Sequence, residues 1–199
     1  LAFRISKDLE YASPLSFNEV WYEIMSRNSI GMGHRQSKKI SIFDYIHRST
    51  LMRPRDYIYF IKIAAEKARI AHSYKITPRI VTKENLNFSR HLLDDLTDEM
   101  RGLYSEIDEI IKIFKEIRQQ ELPIQLFKTH FEEKQKRGKI SKSLEVTQVL
   151  EDLYNFSVIG NVPRQKNNVI YKYLHPDSNL NLNEKIAIHR GLYGALELF

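Results

Sequence analysis

Arg53 and Arg55 flank a proline in the stretch MRPRDYIYF, residues 52 to 60, directly ahead of an apolar run. Two guanidiniums at a helix start oppose the helix dipole, by a few tenths to about 1 kcal/mol each when exposed, so the pair calls for an anion. Two sources are open. One is internal: Asp56 or the acidic helix further along, which local sequence favours. The other is a nucleotide phosphate, which arginine's planar fork binds through paired, charge-assisted hydrogen bonds. A second cluster is cationic throughout: Lys134, Lys136, Arg137, Lys139 and Lys142, with Arg164 and Lys166 in the polar stretch PRQKNN. Such a run attracts phosphate regardless of sequence. Glu132 and Glu133 dilute it, and no aromatic residue interleaves it as single-strand stacking would require. A solvated connection between helices is the simpler reading.

Catalytic chemistry has less to build on. His34, His47, His72, His91, His130, His175 and His189 show no metal-ligand spacing such as HExxH, no serine lies in a nucleophile-elbow context, and cysteine is absent. Asp94, Asp95, Asp98 and Glu99 fall on a charged helix face, where solvation explains them more simply than Mg²⁺. The chain carries no catalytic motif. Its net charge of +6 is unevenly spread, with Arg27, Arg35, Lys38 and Lys39 in an acid-free stretch and an acidic segment from Asp94 to Glu109 that suits a basic protein partner. No leader and no long uncharged apolar run is present, so a cytoplasmic protein without membrane contact is expected. The opening LAFRI reads as the middle of an element, so the chain is expected to be a piece of a longer one.

The elements that must position these residues are mostly helical. Ser16 and Glu19 have capping-box spacing ahead of a helix over about 17–25, and Ser41 with Asp44 repeats the cap before a short helix. The intervening SRNSIGMGHRQSKK has loop composition. Pro54 suits a first helical turn, and the helix it starts is predicted to reach about Tyr74 with a wide apolar face, buried throughout. After a break with an extended piece at KITPRIVT, Thr82 is the predicted cap of a helix carrying Phe88, Leu92, Leu96 and Met100; Gly102 separates it from another carrying Ile107, Ile110, Ile111 and Phe114. Pro123 marks a boundary before a short amphipathic helix. A helix around Val146 to Tyr154 then leads to a β-branched segment, a polar loop and VIYKYL, whose alternation predicts the returning strand of a wing. Glu145, Glu151 and Asp152 on that helix would repel phosphate, which favours protein packing over DNA contact for this module.

RPRDYIYFIKIA (53–64), FSRHLLDDLTDEM (88–100), LEDLYNFSVIGNV (150–162) and AIHRGLYGALEL (187–198) together resemble the C-terminal part of bacterial P-loop ATPases related to the AAA+ and STAND groups. Some of those proteins are associated with DNA repair or antiphage defence. The resemblance implies a helical lid and a winged-helix module following an ATP-binding core, with Arg53, and less directly Arg55, in the place of a sensor arginine near bound nucleotide. His189 and Arg190 match a recurring pattern with no assignable chemistry. No GxxxxGK[ST] loop and no Walker-B strand occur here, so ATP and Mg²⁺ would be bound only through an upstream core.

The expectation is therefore a mainly α chain: a helical bundle followed by a winged-helix module with a small β-hairpin. Residues 1–52 are expected to be the tail of the upstream core, 53–118 the lid and 119–199 the winged-helix-like module. Its expected role is to couple nucleotide state to a partner or nucleic acid; the alternative is a stand-alone winged-helix DNA-binding regulator.

Overall fold

The computed structural model describes residues 16–27, 29–32, 38–165 and 168–198. The described residues are mainly helical with two small antiparallel sheets, and contacts divide the chain into two compact units, Leu1–Phe88 and Ser89–Phe199.

Unit 1 begins with α1 (Phe17–Ile24), closed by the predicted capping box: Ser16 Oγ accepts from Glu19 N–H at 3.3 Å, and Glu19 Oε2 accepts from Ser16 N–H at 2.7 Å. Where loop composition predicted no regular structure, β1 (Ser29–Met32) and β2 (Lys38–Ser41) pair antiparallel with Ile30 opposite Ile40. One apolar pair in four-residue strands is too short a period for the sequence to reveal. Then comes α2 (Ile42–His47), capped by Ser41 as expected. Next is α3 (Pro54–Ile70), which stops short of the predicted Tyr74. The predicted extended piece survives as a bridge between Met25 and Ile76. The following helix, α4 (Pro78–Arg101), starts ahead of Thr82. Thr77 takes over the capping role, its hydroxyl accepting from Ile80 N–H at 3.3 Å, with Pro78 in the first turn where its missing donor costs nothing.

The face that α3 buries is narrower than its composition. Phe60, Ala64 and Ala68 form a buried stripe at four-residue spacing, and Phe60 meets Phe88 at 4.9 Å between ring centroids. Ile58 stays 48% exposed and Ala65 and Ala71 are exposed, so the predicted wide buried face is only partly covered within this unit.

Unit 2 holds the rest of α4, α5 (Ile107–Ile117), β3 (Glu121–Pro123), α6 (Ile124–Lys136), α7 (Val146–Asn155), β4 (Ile159–Val162) and β5 (Lys185–Ile188), closing with a 3₁₀ turn at Arg190–Leu192 and α8 (Tyr193–Leu196). The order α5–β3–α6–α7–β4–β5, with β5 lying between β3 and β4, is the winged-helix arrangement. Its core joins Phe114, Phe127 and Phe131 to Leu150, Leu153 and Ile186, all fully buried. Each such side chain contributes about 1.5–3 kcal/mol of burial.

The returning strand is Lys185–Ile188, not VIYKYL. A central strand must bond along both edges, and the contiguous buried run Ile186, Ala187, Ile188 meets that demand between β3 and β4. VIYKYL makes one bridge, Ile170 to Asn161, and then turns. Its alternation has another purpose: Tyr171 and Tyr173 both make T-shaped contacts with the His189 ring, at 5.2 and 5.5 Å between centroids.

Candidate interaction surfaces

The loop before α3 is organised by one carboxylate. Asp56, 4% exposed, accepts Leu51 N–H at 2.9 Å and Arg53 Nε at 3.2 Å. Buried Thr50 completes the turn, donating to His47 O and accepting Met52 N–H. For Arg53 the compensating anion is therefore Asp56, the internal choice. Arg55 differs: its side chain is 54% exposed and its Nε lies 4.0 Å from Asp56. Of the two predicted nucleotide-sensing residues, Arg53 is committed to holding the loop and Arg55 faces outward.

Beside this turn lies an apolar hollow of about 320 Å³. From α1 come Phe17 and Trp21, stacked at 5.5 Å, with Phe43 of α2 edge-on to both. From the α3 side come Met52, Pro54, Tyr57, Ile58 and Ile61. Tyr57 stacks on Phe43, and its hydroxyl meets His47 Nδ1 at 2.6 Å, which fixes the wall of the hollow. Phe17, Met52 and Ile58 are each 44–48% exposed. Of these, Ile58 is an apolar position of α3 that its own core leaves uncovered, while Phe17 belongs to α1 and Met52 to the turn before α3.

Of the predicted phosphate-binding residues, Lys134 is turned inward. Lys134 is 7% exposed and bridges Glu116 at 2.7 Å and Glu109 at 3.2 Å, tying α6 to α5, so it is withdrawn from any polyanion. Lys136, Arg137 and Lys139 are exposed at the end of α6, Arg137 within 3.7 Å of Glu133. Arg164 is exposed at the start of the β4–β5 connection, and Lys166 lies outside the described residues. Sequence reasoning missed the Lys134 bridge. Its signal was Glu109 and Glu116 one heptad apart beside the α5 apolar stripe.

The exposed positions of α7 are Gln148, Glu151 and Asn155, and Asp152 is engaged by Gln148 Nε2 at 3.2 Å and by the Tyr104 hydroxyl. Burial, then the bond to Asp152, pushes the Tyr104 phenol upward, so it remains a donor. The acidic segment is partly neutralised: Arg101 lies 3.8 Å from Asp98 and 3.4 Å from Asp108, while Asp94 and Glu99 are exposed. His189 has a structural assignment, its Nδ1 accepting Gly191 N–H at 3.1 Å to cap the 3₁₀ turn, and Arg190 lies over Tyr193.

Among the described residues no group of three histidine or carboxylate side chains could hold a metal ion, and no helix is long and apolar enough to cross a membrane.

Residues 1–97 match the family model of a FunZ-associated C-terminal helical domain. The matched stretch is just under half of the 199 residues, takes in all of unit 1 and ends within α4. The similarity supports the coarser part of the expectation, a helical region of the kind found C-terminally in a larger protein. No curated protein and no solved structure matches the chain.

Proposed function

We propose that the chain is the C-terminal regulatory region of a larger nucleotide-hydrolysing protein, with unit 1 docking on the upstream core and the winged-helix unit engaging a partner. The observation that carries this is the open hollow between α1, α2 and α3. It is an aromatic-lined concavity whose rim residues are large and apolar, on a domain similar to one described as C-terminal and FunZ-associated. A core surface that fills the hollow would cover Pro54, the residue before Arg55 in the chain. The resemblance of RPRDYIYFIKIA to the lid segment of P-loop ATPases gives the phosphate role first to Arg53 and less directly to Arg55; because Arg53 is paired with Asp56, we assign it to Arg55. Nucleotide state would act by changing the contacts of α3 in two arrangements of the lid. In the full-length protein, Arg55→Ala should lower ATP hydrolysis while the 199-residue chain keeps its fold; unchanged hydrolysis removes the sensor role.

A second reading, a winged-helix DNA-binding regulator, is favoured by the β3–β5–β4 order and by exposed Lys136, Arg137, Lys139 and Arg164. It expects retention of the chain on duplex DNA with affinity falling steeply as salt rises. The exposed face of α7, which carries Glu151 and no cation, weighs against it.

A further inference from the structure

Unit 2 contains a groove of about 600 Å³ at the end of its sheet where Pro123 and Val162 both pair with Lys185. Its floor is apolar: Pro123, Ile124, Val162, Pro163 and Leu182. Three cations converge on it, Lys128 from α6, Arg164 from the β4–β5 connection and Lys185 from β5. Among the described residues none of the three takes part in an ion pair, whereas Lys134 on the same helix as Lys128 is fully committed to Glu109 and Glu116. Glu121 and Glu184 also line the groove and leave it with one net positive charge.

We infer that this groove receives an acidic peptide segment carrying apolar anchor side chains. An aliphatic side chain laid on the floor would remove water from Leu182, 41% exposed, and its apolar neighbours. Carboxylates at flanking positions would meet Lys128, Arg164 and Lys185, giving orientation and rejection of basic segments. Glu121 and Glu184, with Gln125 and Asn183, offer acceptors to the peptide's backbone N–H groups. A phosphodiester backbone fits less well. It has no apolar group for the floor, the lining includes no aromatic platform for a base, and the glutamates oppose continuous negative charge.

The test uses the 199-residue chain and short fluorescent peptides read by anisotropy. One peptide alternates glutamate with leucine; its comparator alternates glutamate with serine. The leucine peptide should bind at least about tenfold more tightly than the serine peptide, and the double variant Lys128→Glu with Arg164→Glu should weaken it by at least about tenfold with the circular dichroism spectrum unchanged. Leu182→Asp should weaken it comparably. Absence of binding, equal binding of the serine peptide, indifference to charge reversal, or stronger binding of duplex DNA through the same residues would each overturn the assignment. The peptide comparison needs only the unsubstituted chain, so a variant that fails to fold does not blunt it.

Discussion

Asp56 holds Arg53 at 3.2 Å from inside the unit, its carboxylate nearly sealed from solvent while the arginine remains a quarter exposed. The asymmetry decides which partner matters more. Removing the acid leaves the buried Leu51 N–H without its acceptor and takes this carboxylate from Arg53, and breaking such a buried pair costs about 3–5 kcal/mol. Asp56→Ala is therefore expected to lower unfolding free energy by that order in urea titration. Arg53→Ala should cost less, because it leaves Asp56 still bonded to Leu51; a larger loss for the arginine variant would reverse this ranking.

Glu109 is held below the usual carboxylate range, first by its hydrogen bond from Lys112 and then by Lys134. A carboxyl with a depressed folded value contributes stability that is present above its unfolded value, about 4.3, and lost as pH falls through the folded one. The melting temperature should thus fall on acidification below about pH 4.3, and Glu109→Gln should flatten that part of the profile. An unaltered profile would show that the Lys112 and Lys134 contacts contribute nothing to folding.

At Gly160 an added Cβ would lie 2.7 Å from the Tyr171 ring and 2.8 Å from the Ile170 carbonyl oxygen. The second neighbour is backbone and cannot rotate away. Gly160→Ala is expected to cost about 1–3 kcal/mol and to push residues 169–171 off β4, seen as lost amide protection at Ile170. Arg118 offers the opposite test, since it ends α5 with φ 55 in the left-handed region. Arg118→Gly relieves about 1–2 kcal/mol of strain against a chain-entropy cost of about 0.5–1, a modest net gain in thermal stability.

If the hollow beside α3 is a docking face, a charge on its rim should separate stability from association. Ile58→Asp and Met52→Asp replace exposed side chains and should change the chain's unfolding free energy by no more than about 0.5 kcal/mol. The same changes should abolish co-purification of the chain with the upstream region expressed separately. Retained association would place the contact elsewhere.

Local chemistry made much of this legible in the sequence. Ser16 with Glu19, Ser41 with Asp44, and Pro54 each announce a helix start through groups that act within one turn, and the α5 repeat of Ile107, Ile110, Ile111 and Phe114 gave its buried face. What escaped depends on distant neighbours. β3 is three residues long and β1 four, so neither carries a readable alternation. VIYKYL had the better alternation, but KIAI had the apolar continuity that a strand bonded on both sides requires. Lys134 looked like surface charge because Glu109 and Glu116 become its neighbours only when α6 folds against α5. The hollow was half visible: the excess apolar width of α3 was legible, but not that its own unit would leave Ile58 uncovered.

The middle place of β5 in its sheet governs the order in which the molecule can be made. Leu122 and Gly160 both emerge from the ribosome well before Ile186 and Ala187, the residues they face across the ladder. Until then β3 and β4 are separated edges with a vacant lane between them, exposed to strand-pairing errors. Losing the residues beyond Glu184 would thus dismantle the winged-helix unit instead of trimming it, and nascent chains should resist protease there only after Ile188 has cleared the tunnel.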